Sequence, residues 1–265
     1  MVYAYPMSIQ ANPFGFSNNS VSGHAARSMM FSEMCALFGV LPTQVTKEGF
    51  TAAIVEDNIL GKATLSSRKN SLSHLVELYG LDRGQALFRV LWDLGHADVD
   101  SLAQLCLVCA YARDPQLRVS FELIRSLRLG EVLDRAKMEQ RLEHGFPGRF
   151  SPILIESIAQ HVNTTWTVAG HLAGKVKKTR RLPEPRPVSA AYAMFVGYLT
   201  GLRGERLLES DYAALVSSNR SQLQAALSLA SARRLLSLKQ AAGIVEFDFS
   251  NLLTPAEKTQ LHESH

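Results

Sequence analysis

The chain has 265 residues, of which 46% are apolar, and it carries a formal net charge of +4. This length suits two small domains, and no stretch approaches the roughly 20 uninterrupted apolar residues of a membrane-spanning helix. We expect a cytoplasmic protein, because the first residues lack the pattern of a secretory signal peptide and the three cysteines make an odd number.

The first predicted unit lies near the N-terminus. Residues 1–22 are rich in Asn, Ser, Gly and Pro, which predicts an irregular arm, and a helix is expected over 23–38. Residues 46–57 predict a short helix that begins at a threonine cap, and residues 65–79 predict a longer one. The first turns of the longer helix carry side chains that suit DNA phosphates and base edges, namely Ser66, Ser67, Arg68 and Lys69.

A helical block is predicted over residues 83–144, with a period of about 3.6 and charges on the outer faces. It contains the only paired cysteine motif, Cys106-x-x-Cys109, in a strongly apolar setting. No second pair completes a zinc site, so we favour core packing and predict no metal and no cofactor. A Phe-Pro-Gly sequence at 146–148 predicts the boundary between an N-terminal helical domain (23–147) and a C-terminal domain (148–265).

The central prediction concerns residues 151–181. Apolar residues at helical spacing predict a first helix, Asn163-Thr164-Thr165 favours a turn, and residues 166–178 predict a second helix. A helix-turn-helix of this kind, followed by a basic tail, is typical of a unit that reads the major groove.

The predicted contacts of this motif are of two kinds. Hydrogen bonds to bases or backbone are expected from Asn163, Thr165, Thr167 and His171, and phosphate contacts from Lys175, Lys177, Lys178, Arg180 and Arg181. Trp166 is either a core anchor or a surface stacker, and the core interpretation is favoured because a helix start needs a packing anchor. Between residues 149 and 206 nine cations face three acids, an excess that indicates a polyanionic partner.

The C-terminal part is predicted to change from helix to strand. Three alternating prolines at 182–187 favour an extended segment, either a wing-like loop or a linker. Helices are expected over 189–201, 209–217 and 220–235, and the alternation at 236–249 predicts a short β-hairpin. Residues 205–250 are then either a winged-helix unit or the source of a sheet for the preceding motif. The predicted fold is mainly α, a helical bundle with helix-turn-helix or winged-helix-like units and a C-terminal hairpin.

Motifs for catalysis were not found in the sequence. There is no phosphate-binding glycine loop, no nucleophile elbow and no set of carboxylates spaced to hold Mg²⁺. We therefore predict that the chain is not an enzyme.

The order of the predicted elements, and the kinds of residue in each, resemble the BrxA-like family. These are accessory proteins of the BREX systems by which bacteria exclude bacteriophage. The resemblance covers most of residues 23–180. It rests on an N-terminal amphipathic helix before the run IVEDNILGKATLSSRKNSLSHLVELYGLD, on a helical middle, and on a late helix over 166–178 that opens with Trp166 and ends in cations. It implies a non-enzymatic, mostly helical protein that binds double-stranded DNA. The positions it carries over are Ser66, Ser67, Arg68, Lys69, Thr165, Trp166, Thr167, Lys175 and Lys178.

Two functions follow as hypotheses. The first is a double-stranded DNA-binding accessory protein of a phage-defence system, whose partners are DNA and other defence-system proteins, with no membrane. The alternative is a helical adaptor that holds a larger enzyme and docks an acidic partner or RNA on its basic segment.

Overall fold

Helices make up most of the chain in the computed structural model, which describes residues 13–17, 23–241 and 244–263. Two short antiparallel hairpins complete the described part, the longer of them near the C-terminus, so the predicted mainly-α class with a C-terminal hairpin is confirmed. Most of the predicted arm at 1–22 lies outside the described residues. None of the helices in the described ranges is both long and apolar enough to cross a membrane.

The N-terminal helices contain the first predicted unit. The helix expected over 23–38 begins only at residue 31, because Met30 takes a left-handed backbone conformation with φ of 49°. The side chain of Thr46 accepts a hydrogen bond from the backbone N–H of Gly49, as predicted for a cap. Three helices, the second of which continues into a π-helical turn at Ala52–Glu56, have these bounds: α1 Phe31–Val40, α2 Lys47–Thr51 and α3 Leu65–Tyr79.

The predicted helical block is confirmed as four helices, and the middle of the molecule is organised around one of them. Residues 102–112 are buried except for the partly buried Ala103, because a helix that is apolar on all sides must be covered on all sides. Cys106 and Cys109 lie inside this helix, fully buried, as the core interpretation predicts. The four helices are α4 Ala86–Ala97, α5 Leu102–Arg113, α6 Pro115–Ser126 and α7 Arg135–Gly145.

The helix-turn-helix predicted within 151–178 is wrong. One helix, α8 (Pro152–Val168), runs through the expected turn. Its threonines fit because each donates to a carbonyl four residues back: Thr164 to Gln160 at 2.9 Å, Thr165 to His161 at 3.1 Å and Thr167 to Asn163 at 2.7 Å. Gly170, with φ of 85°, ends the helix, and the expected second helix is a hairpin of β1 (Leu172–Ala173) and β2 (Thr179–Arg180).

The proline-rich segment at 182–187 is an extended connection into α9 (Pro187–Leu199), so it is a linker rather than a wing. Residues 188–197 of α9 are buried, and α9 packs against α5 to form the centre of the core. The remaining elements are α10 Glu205–Leu208, α11 Asp211–Val216, α12 Arg220–Ala232, β3 Ser237–Ala241, β4 Ile244–Asp248 and α13 Pro255–Glu263.

Buried side chains from both sides of the predicted boundary at 146–148 belong to one connected core. The core does not divide at residue 147, so the two domains on either side of it stay a prediction. The C-terminal hairpin contacts α12 and α10, which favours an independent winged-helix unit over a sheet that completes α8.

Candidate nucleic-acid interface

A winged-helix order of elements surrounds α8. After α6, Val132 forms a bridge to Thr179 of β2; α7, α8, β1 and β2 then follow in sequence. The bridge is extended by hydrogen bonds from the backbone N–H of Leu133 to the carbonyl of Lys178 at 2.8 Å and from Arg180 to Glu131 at 2.8 Å. The segment 131–133 is thus hydrogen-bonded to β2 and supports the loop between β1 and β2. We call residues 115–181 the winged unit and residues 174–178 the wing.

The helix α8 buries one side in this unit and leaves the other side exposed. Ile155, Ile158, Val162 and Trp166 face the core. Side chains on the opposite side recur at the spacing of one helical face. We call this set the α8 face: Ile153, Ser157, Gln160 and Thr164, of which Ser157 is partly buried and the others are exposed. Uncharged hydrogen-bonding groups dominate it.

The wing presents cations in a fixed turn. Lys175 and Lys177 are exposed, with Val176 between them at 94% exposure, and Lys178 is partly buried, which lowers the pKa of its ammonium group. Gly174 has φ of 100°, and a Cβ there would lie 2.2 Å from the carbonyl oxygen of Lys177, so the turn requires glycine.

No acidic residue lies between Glu156 and Glu184 in the sequence. Arg181 adds an exposed cation at the base of the wing. Glu156 itself is paired with the guanidinium of Arg135. The exposed surface of this stretch is therefore cationic at the wing and uncharged and polar along α8 from residue 157 onward, which suits an anionic partner.

Five predicted contact residues are buried and must be corrected. Their side chains lie inside the winged unit and expose too little surface to contact a ligand. They are Asn163, Thr165, Trp166, His171 and Arg180. Thr167 is partly buried, and its hydroxyl donates to Asn163. The assignment followed from the predicted motif, in which residues 163–165 form a turn, residues 166–178 form a second helix and Arg180 belongs to the basic tail after it.

Trp166 is a core anchor, as favoured from the sequence. Its indole N–H donates to the Ser120 hydroxyl at 2.9 Å, and its ring stacks on Phe121 with centroids 5.2 Å apart. The His171 ring meets it edge-on at 5.0 Å. A fully buried tryptophan needs such a partner for its N–H, and here α6 supplies it.

His171 and Arg180 form a buried polar pair behind the wing. His171 Nε2 donates to the carbonyl of Leu215 at 2.8 Å, which leaves Nδ1 to accept from the Arg180 guanidinium at 3.1 Å. Burial, followed by the charge of Arg180, lowers the pKa of His171 to about 3. Arg180 also donates to the carbonyl of His171 at 3.0 Å. Arg180 therefore holds the base of the wing instead of contacting phosphate.

Thr165 belongs to a buried hydrogen-bond chain. Asp114 caps α6 and contacts Nδ1 of His24 at 2.6 Å, while Nε2 of His24 lies 2.8 Å from the Thr165 hydroxyl. The order acid, imidazole and hydroxyl is that of a hydrolase triad, but all three side chains are buried and the hydroxyl donates to His161. This chain fastens the segment before α1 to α8. Among the described residues, no group of three or more His, Cys, Asp or Glu residues is placed to hold a metal ion.

The first predicted unit is placed less favourably. Ser66 and Lys69 are exposed at the start of α3, but Ser67 is used in a capping box with Thr64. Arg68 donates to the carbonyl of Val55 at 3.2 Å. Exposed acids at Glu56 and Asp57 stand just before this helix. Its surface is thus mixed in charge and offers one exposed cation among the four predicted contacts.

A second unit with a short turn between its helices lies in residues 205–250. The turn 217–219 joins α11 to α12, whose exposed residues include Ser221, Gln222 and Ser228. The hairpin that follows carries Lys239 but also the exposed acids Glu246 and Asp248. Sequence reasoning found this hairpin, but it missed the α8 face. The signal was present in the polar residues 157, 160 and 164, offset from the apolar ones at helical spacing.

In comparisons with known proteins, the chain matches no family model and no curated protein.

Proposed function

We propose that this chain binds double-stranded DNA through the winged unit. The α8 face enters the major groove, which is wide enough for a helix, and the wing contacts the neighbouring backbone. The observation that carries the proposal is the continuity of an acid-free stretch, residues 157–183, that contains both the exposed polar helix face and the exposed cations of the wing.

The division of labour follows from the two kinds of side chain. Lys175, Lys177 and Arg181 supply phosphate contacts, which give affinity without sequence preference. Gln160 supplies a side-chain amide that can pair with two hydrogen-bonding groups of adenine, while Ser157 and Thr164 offer hydroxyl oxygens to either base. An uncharged helix face beside a cationic wing suits this division, because phosphate contacts require cations and base contacts require uncharged hydrogen-bonding groups.

The physiological setting is also part of the proposal. An accessory role in phage exclusion rests on the resemblance to the BrxA-like family alone. Genes for a methyltransferase and a phosphatase-like protein beside the gene of this chain would support it.

The variant Gln160→Glu tests the contact on α8. A carboxylate at this position repels phosphates and cannot donate to a base, so we expect affinity for duplex DNA to fall by about tenfold or more, a loss of about 1–3 kcal/mol. Gln160 is exposed, so the fold should be stable to within about 0.5 kcal/mol. Fluorescence anisotropy with a labelled duplex at moderate salt measures the effect.

The matched control is Gln44→Glu, the same change at an exposed glutamine before α2. Its affinity should equal that of the wild type. Equal weakening by both variants would reduce the effect to net charge and remove α8 from the interface. Absence of DNA binding by the wild type at low salt would overturn the proposal and favour the adaptor that docks an acidic protein.

A further inference from the structure

The tip of the wing is apolar, which is unexpected on a cationic turn. Val176 is 94% exposed, more than any other large apolar side chain in the described part of the chain. Lys175 and Lys177 flank it directly. Single exposed apolar residues are common on protein surfaces, so exposure alone carries no inference.

The backbone around Val176 is held rather than loose. Gly174 closes one end of the turn, and the carbonyl of Lys178 is bound by the backbone N–H of Leu133 at the other end. Val176 is also β-branched, and such side chains have few rotamers. The wing therefore presents a stiff apolar group in a defined direction, with a cation on each side.

We propose that Val176 enters the minor groove of the DNA bound by the winged unit, with Lys175 and Lys177 on the phosphates of the two groove walls. This inference rests on the proposed function and extends it. The minor groove is about 6 Å wide and is bordered by phosphates on both sides. Its walls are lined by the apolar faces of deoxyribose, and proteins that use this groove combine cations with apolar wedges.

A membrane surface is the other partner that combines anionic charge with an apolar interior. It fits less well, because one valine buries too little area for stable anchoring and stable attachment generally requires two strong signals. A turn with one apolar residue between cations matches a narrow groove between two phosphate rows better than an extended lipid surface.

The test uses the whole chain and a duplex with a central A·T tract. The variant Val176→Ser replaces the apolar, branched side chain with a small polar one. We expect it to bind this duplex about five- to tenfold more weakly than the wild type, the loss of one buried apolar side chain. The matched control is Val99→Ser, at a valine that is 67% exposed outside the winged unit, and its affinity should equal that of the wild type.

A second arm blocks the groove itself. The duplex is first saturated with a polyamide that fills the A·T minor groove. The affinity of the wild type should then drop to about that of Val176→Ser, and the variant should lose little more. Full wild-type affinity for the filled duplex, or full affinity of Val176→Ser for the free one, would overturn the inference.

The outcomes separate this inference from the proposed function. If Gln160→Glu weakens binding and Val176→Ser does not, DNA binding stands and the minor-groove contact falls. If the wild type binds no duplex, both fall. Binding to vesicles of equal phosphatidylserine and phosphatidylcholine that is lost in Val176→Ser, without binding to DNA, would assign the wing to a membrane surface instead.

Discussion

Buried polar side chains join the helices of the winged unit to each other and to the segment before α1. Trp166 donates to Ser120 across α6 and α8, and His24 joins Asp114 to Thr165. Each of these buried groups has a partner, which is the condition under which polar groups are tolerated in a core. Polar side chains of the types that can contact DNA thus make hydrogen bonds inside the core here.

His171 provides a prediction for pH. Its pKa is about 3 in the folded state and near 6.5 in the unfolded chain. Between these two values the unfolded state therefore binds a proton at His171 and the folded state does not. Stability attributable to this group is present above pH 6.5 and is lost as pH falls, by about 1.4 kcal/mol per pH unit until the folded pKa is reached.

Urea unfolding at pH 7 and pH 5 measures this effect. The wild type should lose about 2 kcal/mol more than His171→Gln over this interval, because glutamine has no proton to gain. Other titrating groups, including His161, whose pKa is also lowered by burial, act equally in both proteins. The same pH dependence in the two proteins would show that folding does not lower the pKa of His171.

The helix α8 and the wing form one continuous structural unit. The helix ends at Val168, and Gly170 and Gly174 turn the chain into a hairpin whose strands are only two residues long. Such a short hairpin is not stable alone. It persists because the segment at 130–133 adds backbone hydrogen bonds and because Arg180 is buried behind it.

Gly174→Ala tests this arrangement. The added Cβ collides with the carbonyl oxygen of Lys177, and alanine also disfavours the positive φ, so we expect a loss of about 1–3 kcal/mol and weaker DNA binding. Gly61→Ala is the control, because Gly61 also has positive φ, at 62°, but has open space around its Cβ position. Thermal unfolding and duplex affinity that match between the two variants would show that the turn is not constrained as described.

Much of the fold at the level of elements follows from the sequence. Hydrophobic period and capping residues predict α3 with its observed bounds, the helical block and the C-terminal hairpin. The prediction is wrong at 163–178, because the threonines there bond back to their own helix and because Gly170 and Gly174 turn the chain into a hairpin. The sequence pattern does not show which cations are buried. Arg180 is buried and the adjacent Arg181 is exposed, because neighbouring side chains of an extended segment point to opposite sides.

The whole molecule is a scaffold of two buried helices, α5 and α9, with the winged unit on one part of it and the unit of residues 205–250 on another. Several cations elsewhere are paired with acids: Lys62 with Glu33, Arg83 with Asp93, and Arg220 with Glu205. Two stretches with exposed cations lack acids in sequence: residues 157–183, which contain the wing, and residues 212–245, whose hairpin leads into the exposed acids Glu246 and Asp248.

The salt dependence of DNA binding is the most direct test of the claim that the wing is the phosphate contact. The triple variant Lys175→Gln, Lys177→Gln, Arg181→Gln removes three exposed cations. We expect the slope of log affinity against log salt concentration to become shallower by about 2.7, or about 0.9 for each lost phosphate contact. The control Lys47→Gln, Arg233→Gln, Lys239→Gln removes the same charge from exposed sites on α2, at the end of α12 and on β3, and should keep the wild-type slope. An unchanged slope in the wing variant, or an equal change in both, would contradict the account.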